Sequence, residues 1–350
     1  MKKLLIIALS LTMTIGTMAQ SFITQYKPYG GKLWGYINQD GKTIIEPIYK
    51  KCYKFSESGL APIYESKKFS FINIEGKRIN TEIEGFKLIE GFVGFGGLKG
   101  YNDGLVAVTK DKKWGFLNTE GNIVIELKYD KVSIFNNGSA IAKIEDNYYV
   151  LDKTGKETKI EGEDIVTVKH IINGLAPYTT STKQSGYIGT DGKVIIPAKF
   201  ASVGFFTDDM AWAKTADKML GYINKKGEWI IEPQFLAAKD FGIVSGLARV
   251  KTASGWAYVN KAGEIIKISD TEAWGDFSDG LAKGKKLGKT GYYNNKGEWI
   301  IAPEYEGGRD FKNGYAAVKK DGKWGFVDTT GNLVIDAQFA GVKDMERVDY

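Results

Sequence analysis

The sequence predicts an all-β protein built as an array of nine similar units of about 35 residues, three or four short strands each. Three observations lead there. A turn of the form [Asn/Asp]-x-x-Gly recurs along the chain. Glycine is 43 of 350 residues, about 12 % against the roughly 7 % of ordinary proteins, and aromatic residues make up 13 %. No segment carries a convincing helical period.

The turn comes first, because internal repeats decide the fold. It stands at Asn38…Gly41, Asn73…Gly76, Asn118…Gly121, Asp152…Gly155, Asn224…Gly227, Asn260…Gly263, Asn294…Gly297 and Asp328…Gly331, and Gly189…Gly192 keeps the second glycine. An Asx side chain can accept a backbone N–H two residues on, and the glycine supplies the positive φ that closes a short hairpin loop. Gly41, Gly121 and Gly331 are therefore read as structural. Ahead of each turn lies Trp-Gly-aromatic-hydrophobic: Trp34-Gly35-Tyr36-Ile37, Trp114-Gly115-Phe116-Leu117 and Trp324-Gly325-Phe326-Val327, with Trp256-Ala257-Tyr258-Val259 as a weaker copy. Read with period two, Trp114 and Phe116 point one way and Gly115 and Leu117 the other, so both faces are expected to be covered by neighbouring units. Glycine inside a strand marks a close approach, and the expectation is a notch at Gly115 filled by an aromatic of the adjacent unit.

Before the Trp-Gly strand stands Gly-Leu-Ala-x-Val or a near copy, at residues 58–61, 173–176, 245–250, 279–282 and 313–318, its small residues suited to a crowded strand near a common axis. After the turn comes Ile-Ile-x-Pro-x-aromatic, at residues 44–49, 230–235 and 300–305, and then a stretch ending in Phe55, Phe135, Phe206, Phe241, Phe277 or Phe311. Residues 77–82 and 156–161 lack the Ile-Ile-x-Pro run, and an insertion at residues 85–100 holds the cluster Gly94-Phe95-Gly96-Gly97. Together these phrases resemble the WG-repeat family of secreted and envelope bacterial proteins, over essentially all of residues 20–350. The resemblance implies an all-β repeat protein with a binding role and no catalytic residues.

Two closures suit such units. A propeller-like toroid, one unit per blade, is favoured by the small residues and by the lack of capping sequences; an open β-superhelix is the alternative. Nine blades exceed the usual four to eight, and the pattern starts at a first strand and stops after a last one, which predicts no sheet shared between the two ends of the array.

Residues 1–19 read as a secretory signal peptide: Lys2 and Lys3, an apolar stretch over residues 4–15 too short to span a bilayer, and the small-x-small site Thr17-Met18-Ala19. Its removal leaves a net charge of +4, with basic residues interspersed among acids; the densest run is residues 283–289, Lys-Gly-Lys-Lys-Leu-Gly-Lys. This pattern predicts no nucleic-acid partner, and no later stretch reaches 18 apolar residues, which predicts no membrane insertion of the mature chain. The expected location is the periplasm or the outside of the cell. The single Cys52 has no intramolecular partner and reads as a small buried residue.

Chemistry is sparse. The single His170 reads as a strand histidine. One His and one Cys make a zinc site improbable. Asp208-Asp209 and Asp276…Asp279 occupy repeat turns that elsewhere hold Asn, so turn chemistry accounts for them; neither a cofactor nor a metal is expected. The aromatics that break the repeat pattern, Trp212, Trp274, Tyr148 and Tyr149, are the candidate binding surface, whereas Trp229 and Trp299 share the phrase Gly-Glu-Trp-Ile-Ile and suggest a common structural slot. The expectation is a non-enzymatic interaction scaffold for protein or peptide partners, with glycan binding as the alternative.

Overall fold

The computed structural model describes residues 21–88, 100–162, 164–268 and 270–348. The signal-peptide reading and the Gly94–Gly97 cluster lie outside them. Every regular element described is a strand. The sheets are numbered 1 to 9 in chain order and span residues 21–49, 60–79, 87–129, 131–159, 165–200, 202–235, 237–266, 273–305 and 307–342. Sheet 6 shows the plan: Ser202–Val203, Ala211–Lys214, Leu220–Ile223 and Trp229–Phe235 pair antiparallel in that order. Its second strand is the Leu-Ala-x-Val phrase, its third the Trp-Gly phrase and its fourth the Ile-Ile-x-Pro run. The first strand is the aromatic-ending stretch of the preceding unit, so each sheet is assembled from two successive repeats.

That offset corrects one expectation. Sheet 1 takes Ser21–Pro28, Trp34–Asn38 and Thr43–Tyr49 from the start of the array, and its first strand comes from the other end. Tyr26 pairs with Val342 and Lys27 with Gly341, while residues 21–23 pair with residues 346–348. The strand Leu333–Val342 runs from the outer edge of sheet 9 straight into sheet 1, which joins the two as one eight-stranded sheet. The two ends of the array thus do share a sheet. The reading of the sequence missed this because it took the repeat boundary for the sheet boundary.

Packing closes the ring. Each of nine clusters of buried side chains spans two successive sheets. Phe116 and Ile125 of sheet 3 pack with Phe135 and Leu151 of sheet 4, and Tyr222 and Phe235 of sheet 6 pack with Phe241 and Val259 of sheet 7. The series returns to its start where Phe326 and Ile335 of sheet 9 meet Tyr26, Ile37 and Met345 of sheet 1. Individual sheets stay open; the ring of sheets is what closes, a propeller-like toroid of nine blades.

One interaction recurs at most of these interfaces. The third-strand aromatic meets the aromatic that ends the next sheet's first strand: Tyr36 and Phe55 at 4.7 Å, Tyr187 and Phe206 at 4.8 Å, Tyr222 and Phe241 at 4.7 Å, Tyr292 and Phe311 at 4.9 Å. Where it is Tyr, its hydroxyl also donates to a carbonyl 17 residues on: Tyr36 to Tyr53 at 2.8 Å, Tyr222 to Lys239 at 2.8 Å, Tyr292 to Arg309 at 2.6 Å. Burial raises the pKa of these phenols, so they stay protonated donors.

The Trp-Gly glycine has a different neighbour from the one expected. A Cβ on Gly115 would lie 2.4 Å from the carbonyl oxygen of Ile125, in the fourth strand of its own sheet, and one on Gly35 or Gly325 would lie 2.4 Å from that of Ile45 or Ile335. The fourth strand bulges there, as its broken register shows: Trp114 pairs with Tyr129, Phe116 with Ile125 and Leu117 with Ile123. The notch is therefore filled by backbone of the same unit. Gly35, Gly115, Gly186, Gly221, Gly291 and Gly325 all face such a carbonyl, beside long fourth strands with shifted register. Ser70, Tyr149 and Ala257 occupy the same slot in sheets 2, 4 and 7, whose fourth strands are short and in plain register. The glycine and the bulge occur together or not at all.

A contact between units does occur at the turn glycines. The Asx mechanism holds, as the amides of Asp40 and Lys42 both donate to Asn38 Oδ1. Gly41 has φ +75°, and its missing Cβ makes room for Ile335 of sheet 9 at 3.1 Å. Gly331 has φ +92° and faces Ile301 of sheet 8 at 3.3 Å.

Two kinds of glycine should therefore fail differently. Gly115→Ala places a methyl inside a backbone contact and should lower unfolding free energy by about 2–3 kcal/mol, as overpacking does. Gly331→Ala should cost about 1 kcal/mol or somewhat more, chiefly from φ, and Ala257→Gly about 1 kcal/mol from lost strand propensity. Urea unfolding of the three variants checks the order, and equal costs at positions 115 and 257 would remove the bulge argument. Tyr222→Phe leaves the Lys239 carbonyl without its donor and should cost about 1–2 kcal/mol by the same measurement.

Candidate functional site

The first strands of successive sheets crowd together at an inner rim. Lys312 of sheet 9 and Lys54 of sheet 2 belong to sheets two places apart, yet both reach Glu346 of sheet 1, at 2.8 and 3.6 Å. The residue just before the aromatic that ends each first stretch, or before Ile171 and Met345 in the same position, sits on this rim. Around the ring it is Lys54, Ile134, His170, Phe205, Asp240, Asp276, Asp310 and Asp344 in sheets 2 and 4 to 9 and then sheet 1. One arc is apolar, with the rings of His170 and Phe205 4.4 Å apart. The arc through sheets 7, 8, 9 and 1 is acidic.

The acids are met by the variable residue of Leu-Ala-x-Val on the preceding sheet. Trp212 hydrogen-bonds to Asp240. Arg249 Nε lies 2.8 Å from Asp276, and Lys283 Nζ lies 3.1 Å from Asp310. Asp344 is met instead by Arg309, at 3.0 Å. Between sheets 7 and 9 the Arg249–Asp276 and Lys283–Asp310 pairs bound a cavity of about 420 Å³, walled also by Trp274, Thr290 and Glu306.

Trp274 is thus the one of the four candidate surface aromatics that lines this cavity. It is half-buried, 5.2 Å from the ring of Tyr258, and its carbonyl accepts from the Arg249 guanidinium. Trp212 lies against the core between sheets 6 and 7 and covers Gly204. Tyr149 packs into the core between sheets 3 and 4, and Tyr148 lies under the Lys143 ammonium, 5.2 Å away, with its hydroxyl donating to the Val166 carbonyl. None of these four stands out as an open stacking platform. Trp229 and Trp299 do share a slot, each packed against the interface with the preceding sheet. Among the Trp-Gly tryptophans, Trp34 lies under Lys27 and Lys343, and Trp256 under the Arg249 guanidinium at 4.9 Å.

Reading the sequence missed Arg249, Lys283, Asp240 and Asp310. Their signal was present in the variable slot of an otherwise apolar phrase, where a Trp, an Arg and a Lys follow one another in sheets 6, 7 and 8. Three of the four expected turn acids lie in turns: Asp209 pairs with Lys225 at 2.8 Å, Asp208 pairs with Lys261, and Asp279 accepts the Gly314 amide at 2.8 Å. Asp276 does not, since it lies within the strand Ala273–Ser278 and pairs with Arg249, so turn chemistry does not account for it. Cys52 is half-buried beside Tyr36, and burial pushes its thiol up to about 11, which leaves it a poor nucleophile. Burial and then Lys169 lower the pKa of His170 and favour neutral imidazole. No group of three metal-ligating side chains occurs among the described residues.

The profile of the WG containing repeat matches residues 34–69, 114–148, 186–218, 221–256, 291–324 and 324–346, more than half of the chain. The chain belongs to the WG containing repeat family. The unmatched residues 70–113, 149–185 and 257–290 begin in the third strands of sheets 2, 4 and 7, where Ser70, Tyr149 and Ala257 replace the repeat's glycine. No curated protein matches the sequence. Among solved structures, a eukaryotic initiation factor is similar in fold, with a TM-score of 0.61 at 12 % identity over 94 % of this chain and 98 % of that one. AztD from Citrobacter koseri gives 0.41 at 10 % identity over 94 % and 97 %, and BamB from Moraxella catarrhalis 0.39 at 13 % over 75 % and 86 %.

Asp240 gives the rim a pH signature. It keeps surface open to solvent but is ringed by protein, and desolvation, then the charge of Asp276, raises its pKa, while Lys239 and the Trp212 indole oppose the rise. A carboxyl whose folded pKa is raised contributes stability that is present below its unfolded value near 3.8 and lost as pH climbs through the folded value. Asp240→Asn should therefore melt above the parent at pH 7 and lose that advantage near pH 4, as thermal scans at the two pH values would show.

Proposed function

We propose that this protein is a non-catalytic interaction scaffold, secreted to the periplasm or beyond, which holds a protein or peptide segment at the inner rim of sheets 7 to 9. The observation that carries the reading is the cavity itself. It sets Trp274 among the Arg249–Asp276 and Lys283–Asp310 pairs, with Thr290 and Glu306 at its wall. Both rim acids that line it are already engaged by cations, so neither is poised as an acid or a base. A half-open pocket with one aromatic anchor and fixed charges of both signs suits an extended peptide, whose amides and side chains can answer both.

Glycan binding is the second reading, favoured by the same Trp274 beside carboxylates. Immobilised protein and its Trp274→Ala variant, offered an envelope extract and a glycan array, separate the two. The scaffold reading expects a protein captured by the parent and retained at least tenfold less by the variant, in keeping with an aromatic anchor worth about 2 kcal/mol. Equal capture by both would remove the cavity from the account, and Trp274-dependent signal on the array alone would replace peptide with sugar. Matching melting curves guard against misfolding.

A further inference from the structure

The up-and-down order of each sheet sorts its turns. Turns between first and second strands and between third and fourth strands lie on one face of the ring. Turns between second and third strands lie on the other face, with the links from sheet to sheet. Asp130, in a link, shows the latter grouping: it binds Lys113 at 2.6 Å and the Glu145 amide at 2.6 Å, both in second-to-third turns of neighbouring sheets. Both faces carry both signs: on the first face Lys225 and Lys261 answer Asp209 and Asp208. The first face carries Asp103, Asp208, Asp209 and Asp279 in its turns.

The second face is richest in lysine in the successive sheets 8, 9 and 1. Their turns read Lys285-Lys286-Leu287-Gly288-Lys289, Lys319-Lys320-Asp321-Gly322-Lys323 and Lys27-Pro28-Tyr29-Gly30-Gly31-Lys32. Lys323 lies 4.7 Å over the Tyr29 ring, which places the turns of sheets 9 and 1 side by side. The nearby acids are largely turned to local work. Asp270 pairs with Lys286 at 2.7 Å, Glu272 accepts the Leu287 and Gly288 amides, and Glu306 accepts the Gly322 amide.

Leu287 is the anomaly. It sits at φ +50° in a two-residue turn, 87 % exposed, where sheet 9 has Asp321 and sheet 3 has Asp111. Asn or Asp followed by Gly is the favoured content of such a turn, and a bulky apolar residue at positive φ is disfavoured. Leu287 therefore costs the fold something and shields nothing. Tyr29, 67 % exposed, is the second apolar tip on the same arc.

We propose that this arc docks the ring on an anionic lipid bilayer: the lysines meet headgroup phosphates, and Leu287 and Tyr29 enter the interface between headgroups and chains. The docking is peripheral, since no helix of the described residues is long and apolar enough to cross a membrane. Charge complementarity accounts for the lysines, and only a partner with an apolar layer behind its charge accounts for Leu287. The arc adjoins the cavity, whose wall includes Lys285 and Glu306, but Leu287 lies outside it, so the Leu287→Asn variant tests the arc separately from the cavity reading.

Sedimentation with phosphatidylcholine vesicles, with and without phosphatidylglycerol and across a salt series, tests it. Binding should require phosphatidylglycerol and weaken with salt. It should fall about a hundredfold in the Lys285→Glu/Lys286→Glu/Lys320→Glu variant, each lysine being worth about fivefold. Leu287→Asn should bind about tenfold less while melting at or above the parent temperature, which separates a docking role from a structural one. No binding to phosphatidylglycerol vesicles at low salt would overturn the proposal. So would unchanged binding by Leu287→Asn, or equal loss of vesicle and duplex DNA binding across all variants, since either makes the arc a general polyanion surface.

Discussion

No unit of this protein buries its own faces. A four-stranded sheet of some thirty-five residues presents apolar side chains on both sides, Phe116 on one and Leu117 on the other, and each side finds its cover on a different neighbour. Such a unit is marginal alone, and an open row would leave a wet apolar face at each end. Closure resolves both ends at once, because sheet 9 covers sheet 1. The aromatic pair, the tyrosine-to-carbonyl bond and the turn glycine seated on an isoleucine of the preceding sheet are the recurring means by which one sheet locates the next. The strand near residue 346 that completes sheet 1 follows from the same demand.

Much of this was legible. The spacing of turn glycines located nine units, and period-two reading assigned the third strand to two buried faces. What the sequence did not disclose was phase and partner. A repeat can be cut at any point in its cycle, and cutting it before Leu-Ala-x-Val hid the fact that each aromatic-ending stretch pairs forward into the next sheet. The glycine of Trp-Gly was rightly read as a close approach, yet period-two logic assumes a regular ladder. The bulge brings the Ile125 carbonyl of the same sheet to Gly115 where a neighbour's ring was expected. The three sheets with Ser70, Tyr149 and Ala257 held the clue, since they lack the bulge along with the glycine.

The functional surface was less legible, for a physical reason. Repeat analysis looks for what recurs, whereas the inner rim and the lysine arc are made of what varies. Trp212 and Trp274 stood out as misfits, but the residues that give Trp274 a cavity, Arg249, Lys283 and Asp310, are ordinary charged residues that become neighbours only when sheets 7, 8 and 9 stand side by side. Leu287 lay inside a run that the sequence offered merely as its densest basic stretch. Its conformation and exposure are what separate it from a solvated loop. The repeat holds the fold, and the residues that vary collect on one rim and one face.

Everything above rests on closure between the two ends of the array, and a cross-link reads it directly. Lys27 and Gly341 are paired residues on antiparallel strands, at a separation a disulfide can span. Lys27→Cys with Gly341→Cys, in a Cys52→Ala background, should form an intramolecular disulfide on mild oxidation and melt higher than its reduced form. The bond would close a loop of nearly the whole chain. Thiols that stay free in the folded monomer, or that pair only between molecules, would contradict a closed ring.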